Sequence, residues 1–224
     1  MKISPEQQII TSWQLNVKPW VAAIAKGEIE SRVLVTNTAI VDAINACKPK
    51  TLLDVGCGEG WLVRALAANG IDALGVDVIP AFIEIASKHG LGRFREMSYE
   101  QTSFTALQEA FDLVVCNFSL LGENSVHHLF QHIPSLLNPK GRLVVQTLHP
   151  IAGCGAAAYK DGWREGSWAG FNSDFCAPAP WYFRTLETWK ALFAHNGFTI
   201  VNTIEPRALD SCQPLSIIFD AELI

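Results

Sequence analysis

The residues best suited to chemistry lie in a glycine-rich loop and in the acids on either side of it. Gly56, Gly58 and Gly60 follow an apolar run long enough for a buried strand, and a segment of helical composition comes next. Asp54 stands inside that run, and Asp77 ends the following one, about 20 residues beyond the loop. Glycines let a ligand approach the backbone closely, and an acid at the second strand end can bind both ribose hydroxyls of an adenosine. This pattern predicts an adenosine-binding site.

The spacing of the glycines separates the possible adenosine ligands. A dinucleotide loop reads G-x-G-x-x-G and its helix faces a pyrophosphate, but Trp61 holds the sixth position here and Gly60 comes one place early. Glu59 in the loop and Asp54 before it add negative charge, which disfavours an anionic pyrophosphate. These charges favour a cationic ligand, such as a sulfonium that carries an α-amino group.

At these residues the chain resembles the class I S-adenosylmethionine-dependent methyltransferases. The resemblance extends over residues 34–150, and residues 180–197 are more loosely similar to the small-molecule branch that includes quinone-biosynthesis methyltransferases. It implies S-adenosylmethionine as cofactor, S-adenosylhomocysteine as product, and in-line transfer of a methyl group to a small molecule. The segments that carry the resemblance are residues 52–60, 75–78, 111–117 and 137–145.

The resemblance also implies roles for residues at the carboxyl ends of the strands, where open α/β sheets bind ligands. Gly56 and Gly58 would line the methionine part of the cofactor, and Asp77 would hold its ribose. Ser98 would border the adenine at a position where the family often has aspartate. Arg32 could pair with the cofactor carboxylate or lie in solvent. The predicted cofactor-binding residues are Arg32, Asp54, Gly56, Cys57, Gly58, Asp77, Val78, Met97, Ser98 and Asn117.

Alternating strand and helix patterns predict an α/β fold. We expect a Rossmann-like, mostly parallel seven-stranded sheet flanked by helices, with an N-terminal helical arm and a lid inserted after strand five. The pattern further predicts a helix at residues 127–137 and a turn at 138–141 that leads into strand five. The chain is expected to form one methyltransferase domain, residues 1–224. Its parts would be an arm (1–33), a cofactor core (34–150), a substrate lid (151–183), and a C-terminal helix with hairpin strands (184–224).

The lid segment, residues 151–183, is longer than ordinary connections, which seldom exceed about 15 residues without structure. It is rich in tryptophan, tyrosine and phenylalanine, so it must pack on something. It could cover an apolar or aromatic substrate, or act as a structural or dimer-forming flap. Arg184, at its end, would suit an acidic group. The candidate substrate-binding residues are Trp13, Trp20, Trp163, Trp168, Tyr182 and Arg184.

Two histidine positions are candidates for chemistry. His149 lies at the predicted end of strand five, before Pro150, and is the candidate general base. It could equally orient a substrate carboxylate or cap the strand. His128 and His132 have the i, i+4 spacing of metal ligands, but no glutamate lies between them and Pro134 interrupts the helix. No metal site is therefore expected.

Composition narrows the class of protein. The 224 residues carry a net charge of -5 with a pI of about 5.7 and show no Lys/Arg cluster, so no nucleic-acid partner is expected. No apolar run is long enough to span a membrane, and the N-terminus lacks the apolar core of a signal peptide, so we expect a cytoplasmic monomer or homodimer. The six cysteines are expected to be reduced thiols: Cys47, Cys57, Cys116, Cys154, Cys176 and Cys212.

Two alternatives to an active methyltransferase stay open at this point. One is a protein that binds the cofactor but has lost transfer activity and acts as an interaction partner. The other is a nicotinamide-dependent reductase, which conflicts with the glycine spacing. The methylated atom is oxygen, nitrogen or carbon, with oxygen favoured if His149 acts as a base.

Overall fold

The structure, a computed structural model, describes residues 3–208 and 213–224. Within these residues seven strands form one sheet and two short strands form a separate hairpin. The sheet strands are β1 (Thr51–Val55), β2 (Asp72–Asp77), β3 (Arg93–Glu96), β4 (Phe111–Asn117), β5 (Leu137–Leu148), β8 (Phe198–Ile204) and β9 (Ser216–Leu223). The hairpin strands are β6 (Gly162–Arg164) and β7 (Trp181–Phe183).

The sheet order is β3-β2-β1-β4-β5-β9-β8. The first five strands pair in parallel, and β9 lies antiparallel between β5 and β8. The prediction of a Rossmann-like, mostly parallel seven-stranded sheet is thus confirmed. The strand order reverses between β1 and β4, so a crevice opens beyond their carboxyl ends, where such sheets bind ligands.

Helices cover both faces of the sheet, because side chains along each buried strand alternate between the two faces. Leu53 belongs to one core cluster, with Val126 and Trp189, while its neighbour Leu52 belongs to another, with Ile40 and Leu62. The helices are α1 (Pro5–Leu15), α2 (Val17–Lys26), α3 (Asn37–Cys47), α4 (Trp61–Ala68), α5 (Pro80–Lys88), α6 (Phe104–Leu107), α7 (Asn124–His132), α8 (Pro150–Cys154) and α9 (Leu186–His195).

Two predicted boundaries are wrong. The helix expected at residues 127–137 begins and ends earlier, as α7, and a 3₁₀ turn (Ile133–Leu136) with Pro134 in its first turn follows. Strand five begins at Leu137, which pairs with Phe111, whereas a turn was expected at 138–141. The pairing register shifts after this contact and Lys140 has a φ of 65°. The turn residues therefore form a bulge inside the strand.

The lid segment has regular structure of its own. It contains most of α8 and the whole β6–β7 hairpin. No helix among residues 3–208 and 213–224 is long and apolar enough to cross a membrane. Cys212 lies outside the described residues. The cysteines that the structure describes carry free thiols: Cys47, Cys57, Cys116, Cys154 and Cys176.

Candidate functional site

The glycine loop after β1 is held against β2 by its backbone. The amides of Gly56 and Cys57 both donate to the carbonyl of Val76, at 2.8 and 3.0 Å. Gly56 has a φ of +78°, which side chains disfavour, and a Cβ there would overlap the side chain of Ser119. This position therefore requires glycine, and the loop backbone stays bare toward the crevice.

Asp77, the last residue of β2, binds the loop from the other side. One carboxylate oxygen accepts from the amide of Gly58 and the other from that of Ile79, each at 2.9 Å. Burial raises the pKa of Asp77, and the two amide hydrogen bonds oppose this effect. A carboxylate offers about four acceptor sites, so both oxygens can still accept from a ligand.

A large cleft lies between this loop and the N-terminal helices, with a volume of about 800 Å³. It gathers most of the predicted cofactor residues at one place. Met97 does not line it and instead belongs to the apolar core. Asp54 does not line it either and is buried in β1. The predicted cofactor residues that line the cleft are Arg32, Gly56, Cys57, Gly58, Asp77, Val78, Ser98 and Asn117.

Buried oxygen atoms in and beside the cleft lack hydrogen-bond partners. Thr36 and Asn117 line the cleft, and the amide group of Gln146 donates to the Thr36 carbonyl at 3.3 Å and to the Ser216 hydroxyl at 3.0 Å. A buried polar atom without a partner costs about 1–3 kcal/mol, so this region favours a ligand that donates hydrogen bonds. The unpartnered oxygens among the described residues are Thr36 Oγ1, Asp54 Oδ1, Asn117 Oδ1 and Gln146 Oε1.

The pKa of Asp54 also favours a ligand that carries hydrogen-bond donors or positive charge. The pKa of Asp54 is raised to about 8, chiefly by burial and also by the nearby carboxylates of Asp77 and Glu59. Arg32 is the cation that opposes this rise. A cationic group bound in the cleft would stabilise the ionised carboxylate. The site therefore suits a positively charged ligand better than an anionic one.

The high pKa of Asp54 predicts a pH dependence of stability. A carboxyl group whose pKa is higher in the folded than in the unfolded chain stabilises the fold while protonated and loses that contribution as the pH rises through the folded-state value. We expect the free energy of unfolding of the ligand-free protein to fall between about pH 5 and pH 8, by up to about 1.4 kcal/mol per pH unit. Urea unfolding across this range should give a shallower slope for Asp54→Asn. Equal slopes in both proteins would contradict the assignment.

Arg32 begins a π-helical segment (Arg32–Thr36), a local geometry that is frequent at functional sites. Its guanidinium lies 5.3 Å from the ring centroid of Trp20 and 5.2 Å from that of Trp61. Its Nε donates to Asn37 at 3.3 Å. Burial lowers the pKa of Arg32, and the carboxylates of Glu59 and Asp54 raise it. The structure thus places this cation inside the cleft wall.

The arm and the lid meet over the cleft. Trp13 and Trp20 of the arm and Phe171 of the lid all line it. Trp168 packs edge-on against Trp13 with ring centroids 5.7 Å apart, without lining the cleft itself. These aromatic contacts form the apolar roof of the site.

Hydrogen bonds also join the arm to the lid. The hydroxyl of Ser12 donates to the carbonyl of Ala177 at 2.6 Å. The Asn16 amide group donates to the carbonyl of Cys176 at 2.7 Å and accepts from its N–H at 2.9 Å. Ser12 and Asn16 are buried polar residues of the arm, and backbone groups of the lid supply hydrogen-bond partners for their side chains. These hydrogen bonds join the two segments beside the cleft.

Glu6, which the sequence gives no reason to single out, fastens the arm to the body of the protein. One carboxylate oxygen accepts from the amides of Glu123, Asn124 and Ser125 at 3.0, 2.8 and 3.2 Å. These amides begin α7, whose unpaired N–H groups and dipole favour a negative charge. Glu6 is thus an N-terminal cap supplied from a distant segment.

Removing this cap is expected to loosen the arm. Replacing Glu6 with alanine should destabilise the arm contact by about 0.5–2 kcal/mol, the usual cost of losing a helix cap. Hydrogen exchange of residues 5–26 should then accelerate while that of β1 and β4 stays unchanged. Gln8→Ala is the matched control, because the side chain of Gln8 binds only the carbonyl of Ile3 among the described residues. Equal exchange in the two variants would contradict the cap.

Three further predicted substrate residues do not line the large cleft: Trp163 and Tyr182 lie on the lid hairpin, and Arg184 directly follows it. Trp163 donates from its indole to Glu123 at 3.2 Å and packs against Tyr182, with centroids 5.5 Å apart. Tyr182 and Arg184 line a second, small cavity that borders the large cleft. The structure therefore separates these residues from Trp13 and Trp20.

His149 does not line the large cleft. Its Nδ1 accepts from the amide of Ile151 at 3.3 Å and so caps α8, and its Nε2 lies 3.3 Å from a carboxylate oxygen of Glu205. Both ring nitrogens are engaged, and the ring is buried. His149 is thus the N-terminal cap of the helix that follows it, rather than a cap of the strand that precedes it.

His128 and His132 contact each other on α7. Their Nε2 atoms lie 3.1 Å apart. The described part of the chain contains no group of three or more His, Cys, Asp or Glu side chains that could hold a metal ion. The pair is therefore a local ring contact in this structure.

Comparison with known proteins decides the family. Residues 36–203, more than half of the chain, match the family model described as a methyltransferase domain. The chain belongs to the methyltransferase domain family. Among curated proteins, the ubiquinone biosynthesis O-methyltransferase of Haemophilus ducreyi is 32% identical over 108 residues, which cover 45% of this chain and 46% of that protein. The chain spans about half the length of the curated relatives it matches.

Solved structures show the same fold for this methyltransferase domain. An S-adenosylmethionine-dependent methyltransferase from Mesorhizobium loti matches with a TM-score of 0.63 and 21% identity, covering 81% of this chain and 96% of that one. The S-adenosylmethionine-bound amino pentose methyltransferase of Micromonospora echinaspora gives 0.62 and 19%, covering 84% and 89%. The family match and this shared fold together confirm the resemblance to class I S-adenosylmethionine-dependent methyltransferases.

Proposed function

We propose that this methyltransferase domain moves a methyl group from S-adenosylmethionine to a small acceptor with an apolar or aromatic body. The observation that carries the proposal is the large cleft, whose floor offers carboxylates and unpartnered oxygens and whose roof is aromatic. A floor rich in acceptors suits a sulfonium and an ammonium group, and an aromatic roof suits an apolar acceptor.

The residues of the cleft fit the parts of this cofactor. Asp77 would accept from the ribose hydroxyls, because both of its oxygens keep free acceptor sites beside the loop amides. Thr36 and Asn117 would accept from the ammonium group. Arg32 would pair with the cofactor carboxylate. Val78 and Ser98 would border the adenine.

Methyl transfer needs little further chemistry from the chain. S-adenosylmethionine, when bound, supplies a methyl group that its positive sulfur has already activated. The chain must then hold the acceptor in line and keep water away. The cover formed by the arm and the lid would do both, because Trp13, Trp20 and Phe171 from these segments line the cleft together with the glycine loop.

We favour oxygen as the atom that receives the methyl group. Curated relatives, including those from Haemophilus ducreyi and Xylella fastidiosa, carry the name ubiquinone biosynthesis O-methyltransferase. Because His149 lies outside the cleft, we assign no general base at that position. An acceptor hydroxyl that is already acidic, such as a phenol beside a second hydroxyl, would need the least help in losing its proton.

Titration calorimetry with S-adenosylmethionine, S-adenosylhomocysteine and NADH tests the cofactor. We expect micromolar binding of the two adenosyl ligands, about -8 kcal/mol, and none of NADH. Transfer of labelled methyl to catechols then tests the activity. Tight S-adenosylhomocysteine binding without transfer to any acceptor would favour the inactive binding protein. Binding of NADH alone would revive the reductase, although unpartnered acceptor oxygens argue against a pyrophosphate.

A further inference from the structure

Arg184, directly after β7, is a buried cation with donors to spare. Only 2% of the residue is exposed. Its guanidinium carbon lies 4.9 Å from the ring centroid of Tyr182 and 5.2 Å from that of Trp189. Its Nη2 donates to the carbonyl of Glu123 at 3.1 Å. Its Nε and Nη1 are buried and have no partner among residues 3–208 and 213–224.

The acids that surround Arg184 are engaged elsewhere. Asp161 accepts from the backbone amide of Thr185 at 2.7 Å and from the hydroxyl of Thr188 at 2.6 Å. Glu123 accepts from the indole of Trp163, and Glu6 caps α7. None of them approaches the guanidinium within 4.0 Å in the described part of the chain.

The charge of Arg184 persists in this environment. The pKa of Arg184 is lowered to about 10, chiefly by burial, and the electrostatic effects of Tyr182, Asp161 and Glu123 oppose that change. The guanidinium therefore stays protonated at neutral pH. A buried charge without a paired anion is costly, so the position favours an anion that arrives with a ligand.

Arg184 lines the small cavity beside the large cleft. This cavity has a volume of about 30 Å³, which is room for about two water molecules or for the two oxygens of one carboxylate. Phe118, Leu121 and Leu148 line both spaces, so the small cavity meets the cleft along a shared apolar wall. A ligand with its body in the cleft could thus extend one small polar group toward Arg184.

We infer that this cavity is the subsite for a carboxylate carried by the methyl acceptor, so that the substrates are small aromatic or apolar acids. This inference rests on the proposed function and narrows it. The free donors of Arg184 would give charge-assisted hydrogen bonds to the carboxylate. Tyr182 and Trp189 would hold the guanidinium in position. The apolar wall would contact the adjoining carbon skeleton.

Benzoate and its neutral counterpart benzamide are the probes. Calorimetry on the full chain saturated with S-adenosylhomocysteine should show benzoate binding at least about ten-fold tighter than benzamide. Arg184→Met should weaken benzoate binding by about 10- to 100-fold, the loss of a charge-assisted hydrogen bond, and leave benzamide unchanged. Arg184→Lys should keep part of the preference, because it keeps the charge.

Arg164→Met is the matched control. Arg164 belongs to the hairpin that Arg184 follows and also lies over an aromatic ring, at 4.9 Å from the centroid of Phe183, but it does not line the cavity. The Arg164→Met variant should therefore keep the preference for benzoate over benzamide. A wild-type protein that binds no benzoate, equal affinity for acid and amide, or an unchanged preference in Arg184→Met would each overturn the subsite. The wild-type comparison decides this even if Arg184→Met does not fold.

The binding of S-adenosylhomocysteine distinguishes a failure of the carboxylate subsite from a failure of the proposed function. If this ligand binds wild type, Arg184→Met and Arg164→Met alike while the preference for benzoate is missing, the subsite fails and the proposed function stands. If the ligand binds none of them, the proposed function fails, and the acceptor subsite that rests on it fails too.

Discussion

Replacing Asp77 with alanine is expected to weaken S-adenosylhomocysteine binding by about 1.5–3 kcal/mol, or about 10- to 150-fold. The carboxylate does two things at this position. It would accept from the ribose, and it fixes the glycine loop by accepting from the amides of Gly58 and Ile79. Alanine removes both effects, so the ligand loses its hydrogen bonds and the loop loses its brace. Titration calorimetry measures the change directly.

Asp72→Ala is the control for this experiment. Asp72 is also an aspartate of β2, but it begins the strand, is exposed, and pairs with Arg93 on the surface. Its replacement should leave the affinity for S-adenosylhomocysteine within about two-fold, because an exposed ion pair contributes little. If Asp77→Ala binds as tightly as Asp72→Ala, then Asp77 does not hold the ribose.

The cofactor core could be predicted from the sequence because its signals are local. A buried strand, a glycine turn, a helix and a second strand with a terminal acid follow one another within residues 51–77, so spacing alone brings Gly58 and Asp77 together. The sheet follows from the same alternation. These elements have little freedom once the central strands, such as β1 and β4, must bury both faces.

The arm and lid contacts could not be read from the chain in this way. Glu6 caps α7 across 117–119 residues, and Ser12 binds Ala177 across 165. Glu in the first turn of a helix and Ser within a helix are both common, so neither residue type indicates a distant hydrogen-bond partner. Tertiary packing alone creates these contacts, and no local spacing rule reports them.

For His149 the sequence predicts the position of the residue but not its role. Its position at the end of β5, before Pro150, was read correctly, yet a strand end can face the cleft or turn away from it. Pro150 begins α8, and His149 is used as its cap. The sequence contains the capping signal as well as the candidate base, and spacing does not choose between them. Arg184 is similar, since its burial depends on the hairpin that the lid forms.

The glycine loop gives the second large expected effect. Gly56→Ala should lower the free energy of unfolding by about 2–5 kcal/mol, because the residue has a left-handed backbone, worth about 1–2 kcal/mol, and because its new Cβ adds about 1–3 kcal/mol of overpacking. The Cβ would overlap Ser119 and lie 3.0 Å from its Oγ. Ser119 cannot retreat easily, since its hydroxyl donates to Val55 and its carbonyl accepts from Tyr99, both at 2.7 Å.

Gly70→Ala separates the two contributions. Gly70 also has a positive φ, of 87°, but a Cβ there meets nothing within 4 Å. It should cost only the backbone strain of about 1–2 kcal/mol, so urea unfolding should show Gly56→Ala to be the more damaging by at least about 1 kcal/mol. Gly70→Ala should also keep its affinity for S-adenosylhomocysteine, whereas Gly56→Ala should lose most of it. Equal unfolding energies in the two variants would mean that the packing of Ser119 against the loop does not limit this position.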